Sequence, residues 1–83
     1  MNITIKYFAS IREAMGQGSE VRGTEAATLG ALRDELIAAS PTHAQALARG
    51  KSVRMALDQV MTDESAPLKD GCEVAFFPPV TGG

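Results

Sequence analysis

Val74-Ala75-Phe76-Phe77-Pro78-Pro79-Val80-Thr81-Gly82-Gly83 closes the chain without a single charged residue. Its first four residues read as a strand, because aromatic and β-branched side chains suit a pleated, half-buried surface. Pro78 and Pro79 stop that strand: neither can donate to a sheet ladder, and both fix φ near −65°. A Pro-Pro step favours extended geometry, so the sequence predicts a folded domain over residues 1–77 and a tail over 78–83. That tail is semi-rigid at its Pro-Pro root and a flexible Gly-Gly at its end. Gly82 and Gly83 put nothing but backbone at the tip, which can therefore enter a channel too narrow for any side chain, terminal carboxylate leading. A terminal Gly-Gly pair by itself reads as a frayed end. An apolar strand running straight into Pro-Pro-Val-Thr-Gly-Gly reads instead as a chain whose terminal carboxylate is the reactive group.

A long apolar final strand wants a central place in a sheet, and the first strand is its natural neighbour. There Ile3, Ile5, Tyr7 and Ala9 alternate with Thr4, Lys6 and Phe8, the period of a half-buried strand. Phe8 falls on the Thr4/Lys6 face that should meet water. In the final strand Cys72, Val74 and Phe76 share one face and Glu73, Ala75 and Phe77 the other, so Phe77 also sits on the charged side. With the two strands adjacent, Phe8 and Phe77 meet on the open face with Met61 at their border, forming an apolar patch beside the root of the tail. Exposed patches of this kind mark protein partners.

Between these strands, Ser10-Ile11-Arg12-Glu13 has the capping-box pattern with Ser10 as N-cap, followed by one helical turn to about Met15. Ser19–Arg22 returns as an edge strand of a hairpin. Thr28 is positioned to cap the main helix, Leu29 to about Ala39, whose Leu29, Leu32, Leu36 and Ala39 follow one helical face, leaving Arg33, Asp34 and Glu35 off the stripe. Pro41 starts a shorter helix through Arg49, closed by Gly50. Val53, Met55 and Leu57 mark a third strand; Asp58-Gln59 is a turn into a short strand over Val60–Thr62. Leu68 anchors the loop from Asp63 to Gly71. The fold class is α+β: a roll with a mixed sheet of about five strands and one main helix across one face.

Composition narrows the function. The chain has 83 residues, 45% hydrophobic and 22% charged, with a formal net charge of −2, which suits one globular domain. There is no basic field to neutralise phosphates, so nucleic acid is not the expected partner. One cysteine and one histidine exclude an intramolecular disulfide and a Cys/His zinc site. The amino terminus opens at once on a strand pattern, without a signal peptide or an apolar run of membrane-spanning length, so a cytoplasmic protein is expected. There is no phosphate-binding loop and no cluster of acids, bases or metal ligands, so any nucleotide chemistry must be borrowed from a partner.

The stretch Asp70-Gly71-Cys72-Glu73-Val74-Ala75-Phe76-Phe77-Pro78-Pro79-Val80-Thr81-Gly82-Gly83 resembles the ending of the MoaD family, the sulfur-carrying small subunits of molybdopterin synthase. Tyr7-Phe8-Ala9-Ser10-Ile11-Arg12-Glu13 resembles the start of that family and Val53 through Gln59 its middle strand, so the likeness spans essentially the whole chain. The resemblance implies a ubiquitin-like β-grasp fold. It also implies that the Gly83 carboxylate, with Gly82 behind it, is adenylated by an E1-like (MoeB-like) enzyme using ATP and magnesium. A sulfur donor system then converts it to a thiocarboxylate. The thiocarboxylate delivers sulfur to precursor Z (cyclic pyranopterin monophosphate) to build the dithiolene in molybdenum cofactor biosynthesis. The catalytic pocket would lie on a MoaE-like large subunit, in a heterotetramer of two small and two large subunits, and no cofactor would be bound by this chain. By family position Phe8, Arg12, Met61, Phe77, Pro78, Pro79, Val80 and Thr81 are expected to contact these partners. Cys72 departs from the acidic residue common after Asp-Gly in that family, and its alternation points it into the core as an inert thiol. His43 is read as a surface residue without a role. The alternatives are a thiamine-type carrier of the same fold and a ubiquitin-like protein modifier.

Overall fold

Residues 1–79 are described by the computed structural model. Strand β1 (Asn2–Tyr7) is followed by α1 (Ala9–Met15), β2 (Ser19–Gly23), α2 (Leu29–Ala39), α3 (Pro41–Leu47), β3 (Arg54–Leu57), β4 (Val60–Thr62) and β5 (Glu73–Phe77). The strands form one mixed sheet in the order β2-β1-β5-β3-β4. The last strand is thus the middle one, parallel to β1 and antiparallel to β3. This is the expected β-grasp roll, with β2 and β4 at its edges.

One face of the sheet is dry. Ile3, Ile5, Tyr7, Met55, Val74 and Phe76 alternate inward and pack with Leu29, Leu32 and Leu36 of α2 and Leu47 of α3 in a single core. Tyr7 and Phe76, opposite each other in the parallel register, stack with ring centroids 6.2 Å apart. Leu68 anchors its loop as expected, and the loop caps α2 from outside: the Ala66 and Glu64 carbonyls accept from the N–H groups of Leu29 and Gly30. Thr28 completes that helix start, its hydroxyl accepting from Ala31 N–H at 3.2 Å.

Several local expectations need correction. Ser10 does not cap α1. Phe8, still extended at the end of β1, is the N-cap, and its own carbonyl accepts from Ile11 and Arg12, so no side-chain cap is used. Ala9 accommodates this abrupt strand-to-helix turn in the left-handed region, at φ 51°. Helix α3 ends at Leu47 rather than Arg49, and Gly50 does not close it. The reason is Arg33, which is 3% exposed rather than off the buried stripe. Its guanidinium donates to the carbonyls of Leu47, Ala48 and Lys51 at 2.9, 2.7 and 3.0 Å, taking up the orphan acceptors at the helix end. Ala39, placed on the stripe by spacing, faces solvent.

The edge strand β2 points its charged residues under the helices. Glu20 Oε2 accepts from Tyr7 Oη at 2.8 Å and lies 3.1 Å from His43 Nε2, while His43 Nδ1 lies 2.6 Å from Ser40 Oγ. His43 is therefore a partly buried strut between β2 and α3, not a surface residue. Next to it, Arg22 and Thr24 both donate to Glu35 at 2.7 Å. Burial pushes the Glu35 carboxyl up, but these two hydrogen bonds and the Arg22 charge outweigh it and hold the group below the ordinary glutamate range.

Candidate functional site: the open face of the sheet

The other face of the sheet has no helix over it. Its middle is floored by Ala56 and Ala75, paired across β3 and β5 and 3% and 5% exposed. Larger side chains stand around this floor: Lys6 and Phe8 from β1 and its end, Glu73 and Phe77 from β5, Gln59 and Met61 from the β3–β4 hairpin. Small residues in the centre and large ones around them make the face concave. The hairpin holds its position because Asp58 and Gln59 are both left-handed, at φ 49° and 69°, as the tight turn requires. Asp58 also exchanges hydrogen bonds with the backbone of Glu73.

Phe8 and Phe77 meet on this face as the alternation predicts. Their rings stack with centroids 4.7 Å apart and planes within 9°, while Phe8 is 40% and Met61 55% exposed. The backbone explains the match: Phe8 N–H donates to Phe76 carbonyl at 3.2 Å, extending the β1–β5 ladder one residue past Tyr7. Beyond the aromatic pair, Phe8, Ala9, Met61, Phe77, Pro78 and Pro79 line an open groove of about 450 Å³, and Arg54 stands among them. Five of the expected contact residues are therefore brought together: Phe8, Met61, Phe77, Pro78 and Pro79.

Arg12 is not one of them. It lies exposed on α1, folded over Gly18, and borders a separate hollow with Glu13, Gly16 and Gln17. Ala9 is the residue common to this hollow and the groove. Val80, Thr81, Gly82 and Gly83 lie outside the described residues. Arg54 was not singled out from sequence, although its alternation with Met55 puts it on the same face as Ala56 and directly opposite Phe77. Cys72 is a free thiol, 5% exposed, against the core. Among the described residues no group of His, Cys, Asp and Glu could hold a metal ion, and no helix is long and apolar enough to cross a membrane. What this arrangement offers is a concave, largely apolar docking surface from which residues 78 and 79 lead directly off the central strand.

The chain is similar over its length to known proteins. The ThiS family model matches residues 5–83. A molybdopterin synthase sulfur carrier subunit from Escherichia coli (strain K12) is 42% identical over 81 residues, covering 98% of this chain and 99% of that protein. Among solved structures, SAMP1 from Haloferax volcanii superposes with a TM-score of 0.79 at 25% identity, over 100% of both chains. A protein–protein complex of subunits 1 and 2 of molybdopterin-converting factor from Helicobacter pylori contains a chain that matches with a TM-score of 0.70 at 25% identity, again over 100% of both chains.

Proposed function

The chain belongs to the ThiS family, and from that premise we propose that it is the sulfur-carrying small subunit of a molybdopterin synthase. The full-length likeness to a sulfur carrier subunit of that synthase supports the assignment. The observation that carries it is the position of Phe77. This residue ends the central strand, packs on an exposed aromatic partner, and leads into Pro78-Pro79 on the same open face. A partner that covers this face receives the tail at the same time.

The chemistry belongs to Gly83. A carboxylate is a poor acyl donor because its leaving group would be oxide. In the proposed sequence a carboxylate oxygen attacks the α-phosphorus of ATP on an E1-like enzyme, which also supplies the magnesium, and pyrophosphate leaves. Hydrosulfide-level sulfur from the donor system then adds to the acyl carbon and AMP leaves, so that one oxygen of the Gly83 carboxylate has been replaced by sulfur without any change of oxidation state. The thiocarboxylate sulfur is the nucleophile that bonds to a carbon of cyclic pyranopterin monophosphate in the pocket of the large subunit. Water then cleaves the acyl carbon–sulfur bond, leaving the sulfur on the pterin and returning Gly83 as a carboxylate. Two carriers in succession supply the two sulfurs of the dithiolene. This chain's own contribution is to present Gly83: the β5 strand fixes the root, the prolines carry it off the sheet, and the glycines clear the channel.

An intact-mass measurement after incubation with ATP, an E1-like enzyme and a sulfur donor tests this. The expected result is a gain equal to exchanging one oxygen for sulfur, confined to the C-terminal peptide. Deleting Gly83, or adding one residue after it, is expected to abolish the gain while leaving the circular dichroism spectrum intact. An unchanged mass with a demonstrably active enzyme and donor would overturn the mechanism.

A further inference from the structure

The groove beside the Phe8–Phe77 pair is not purely apolar, and its one cation has nothing to do inside the fold. Of the five arginines, Arg22 is paired with Glu35, Arg33 with three carbonyls, and Arg49 with Asp34 and Glu64, while Arg12 lies outside this groove, on the separate hollow. The Arg54 side chain forms no ion pair or hydrogen bond among the described residues, though the residue stands opposite Phe77 in the β3–β5 ladder and is exposed. The carboxylates that share a hollow with it are engaged elsewhere. Asp63 and Glu64 border the hollow on the other side of Arg54, but Asp63 accepts from Ser65 and Glu64 is held by Arg49. Across the alanine floor, Lys6 and Glu73 compensate each other at 3.4 Å.

We propose that Arg54 is a specificity-determining contact of this surface, its guanidinium receiving a carboxylate of the synthase large subunit that docks over the aromatic pair. The proposal rests on reading the chain as the small subunit of that synthase. Any protein that covers Phe8, Met61 and Phe77 must also take Arg54 out of water. A guanidinium cannot neutralise itself by losing a proton, so its desolvation has to be compensated by an acceptor on the partner. A carboxylate answers the planar fork with two parallel hydrogen bonds, and the exclusion of water from the closed interface strengthens the pair. A partner with a flat apolar face and no carboxylate would leave a buried, uncompensated charge and be rejected. The two roles divide: the rings supply contact area, and Arg54 selects which apolar face may use it.

The test is the affinity of the full chain for its large subunit at low and at high salt, for wild type, Arg54→Met, Arg54→Lys and Arg54→Glu. Wild-type binding is expected to weaken as salt rises. Arg54→Glu is expected to bind about tenfold more weakly or worse at low salt. Arg54→Lys should keep the salt dependence but lose part of the affinity, and Arg54→Met should flatten the salt dependence. Unchanged melting temperatures separate these effects from misfolding, as an exposed strand position allows. Equal affinity of wild type and Arg54→Glu at low salt overturns the proposal while leaving the small-subunit reading intact. Failure of the wild-type chain to bind the large subunit at all overturns both, and the two failures are told apart by the wild-type measurement alone.

Discussion

The hydroxyl of Tyr7 donates to Glu20 Oε2 at 2.8 Å across the first hairpin, under a phenol ring that is 1% exposed. Burial is the main reason that ionisation of Tyr7 is pushed far above the ordinary value of 10.0, and the hydrogen bond and negative charge of Glu20 add to it. The folded state thus binds the phenolic proton more tightly than the unfolded chain. That contribution to stability is fully present below pH 10 and is lost as pH climbs above it, because the unfolded chain releases the proton first. Tyr7 is the only tyrosine, so tyrosinate absorbance in an alkaline titration reports it alone. Tyrosinate is expected to appear only together with the loss of circular dichroism. Ionisation near pH 10 in a still-folded protein would contradict the buried hydrogen bond.

Glu35 makes the opposite prediction at the acid end. Its depressed pKa in the fold means stability that is present above the unfolded value of 4.5 and disappears as pH falls through the lower folded value. Glu35→Gln is expected to cost stability at neutral pH and to flatten the acid limb of a melting-temperature profile. An acid limb with the same slope in wild type and variant would assign the acid sensitivity to other carboxylates.

Arg33→Ala removes the donor that three carbonyls share. Leaving them without partners beside a void should destabilise the fold by about 3 kcal/mol, or roughly 12–24 °C in melting temperature for a domain of this size. Helix α3 should suffer first, so hydrogen exchange over Pro41–Leu47 is expected to accelerate more than over α2. A drop of only a degree or two would mean that water satisfies those carbonyls.

Phe77→Ala and Phe8→Ala each break the stack at 4.7 Å. Since Phe8 is already 40% exposed, its replacement should cost the free protein only about 1 kcal/mol. Affinity for the large subunit should fall by about 2 kcal/mol or more, because a buried aromatic at the centre of an interface carries much of its energy. Calorimetry and binding measured on the same variants separate the two effects. Equal losses in both would make the pair a structural feature of the sheet.

Much of this was written in local pattern. Thr28 before the leucine spacing marks the main helix because cap and stripe are both local. Phe8 and Phe77 were legible as a pair because strand alternation fixes a face, and parallel pairing of the two strands then sets them side by side. Arg33 was not legible: helical spacing places it beside the stripe, and only the end of α3, folded against it, makes an arginine acceptable there. Ser10-Ile11-Arg12-Glu13 misled for a related reason. The pattern is that of a cap, but the carbonyl of Phe8, fixed by the sheet, was already serving the first helical N–H groups. Arg54 was readable as a position and not as a role, since its lack of an internal partner emerges only when the other carboxylates are seen to be occupied.

The central place of β5 has a consequence for how the chain is made. Pairing Ile5 with Val74 and Met55 with Phe76 gives the sheet its middle only when almost the whole polypeptide is available. During synthesis, everything upstream of Glu73 is a set of strands and helices without a keystone, and the long closure between first and last strands sets the pace of folding. A fragment stopped at Gly71 is expected to lack a cooperative melting transition. Length is in this way checked by folding up to the last strand: a product truncated before Glu73 lacks the strand that would let it persist and is expected to be open to proteolysis.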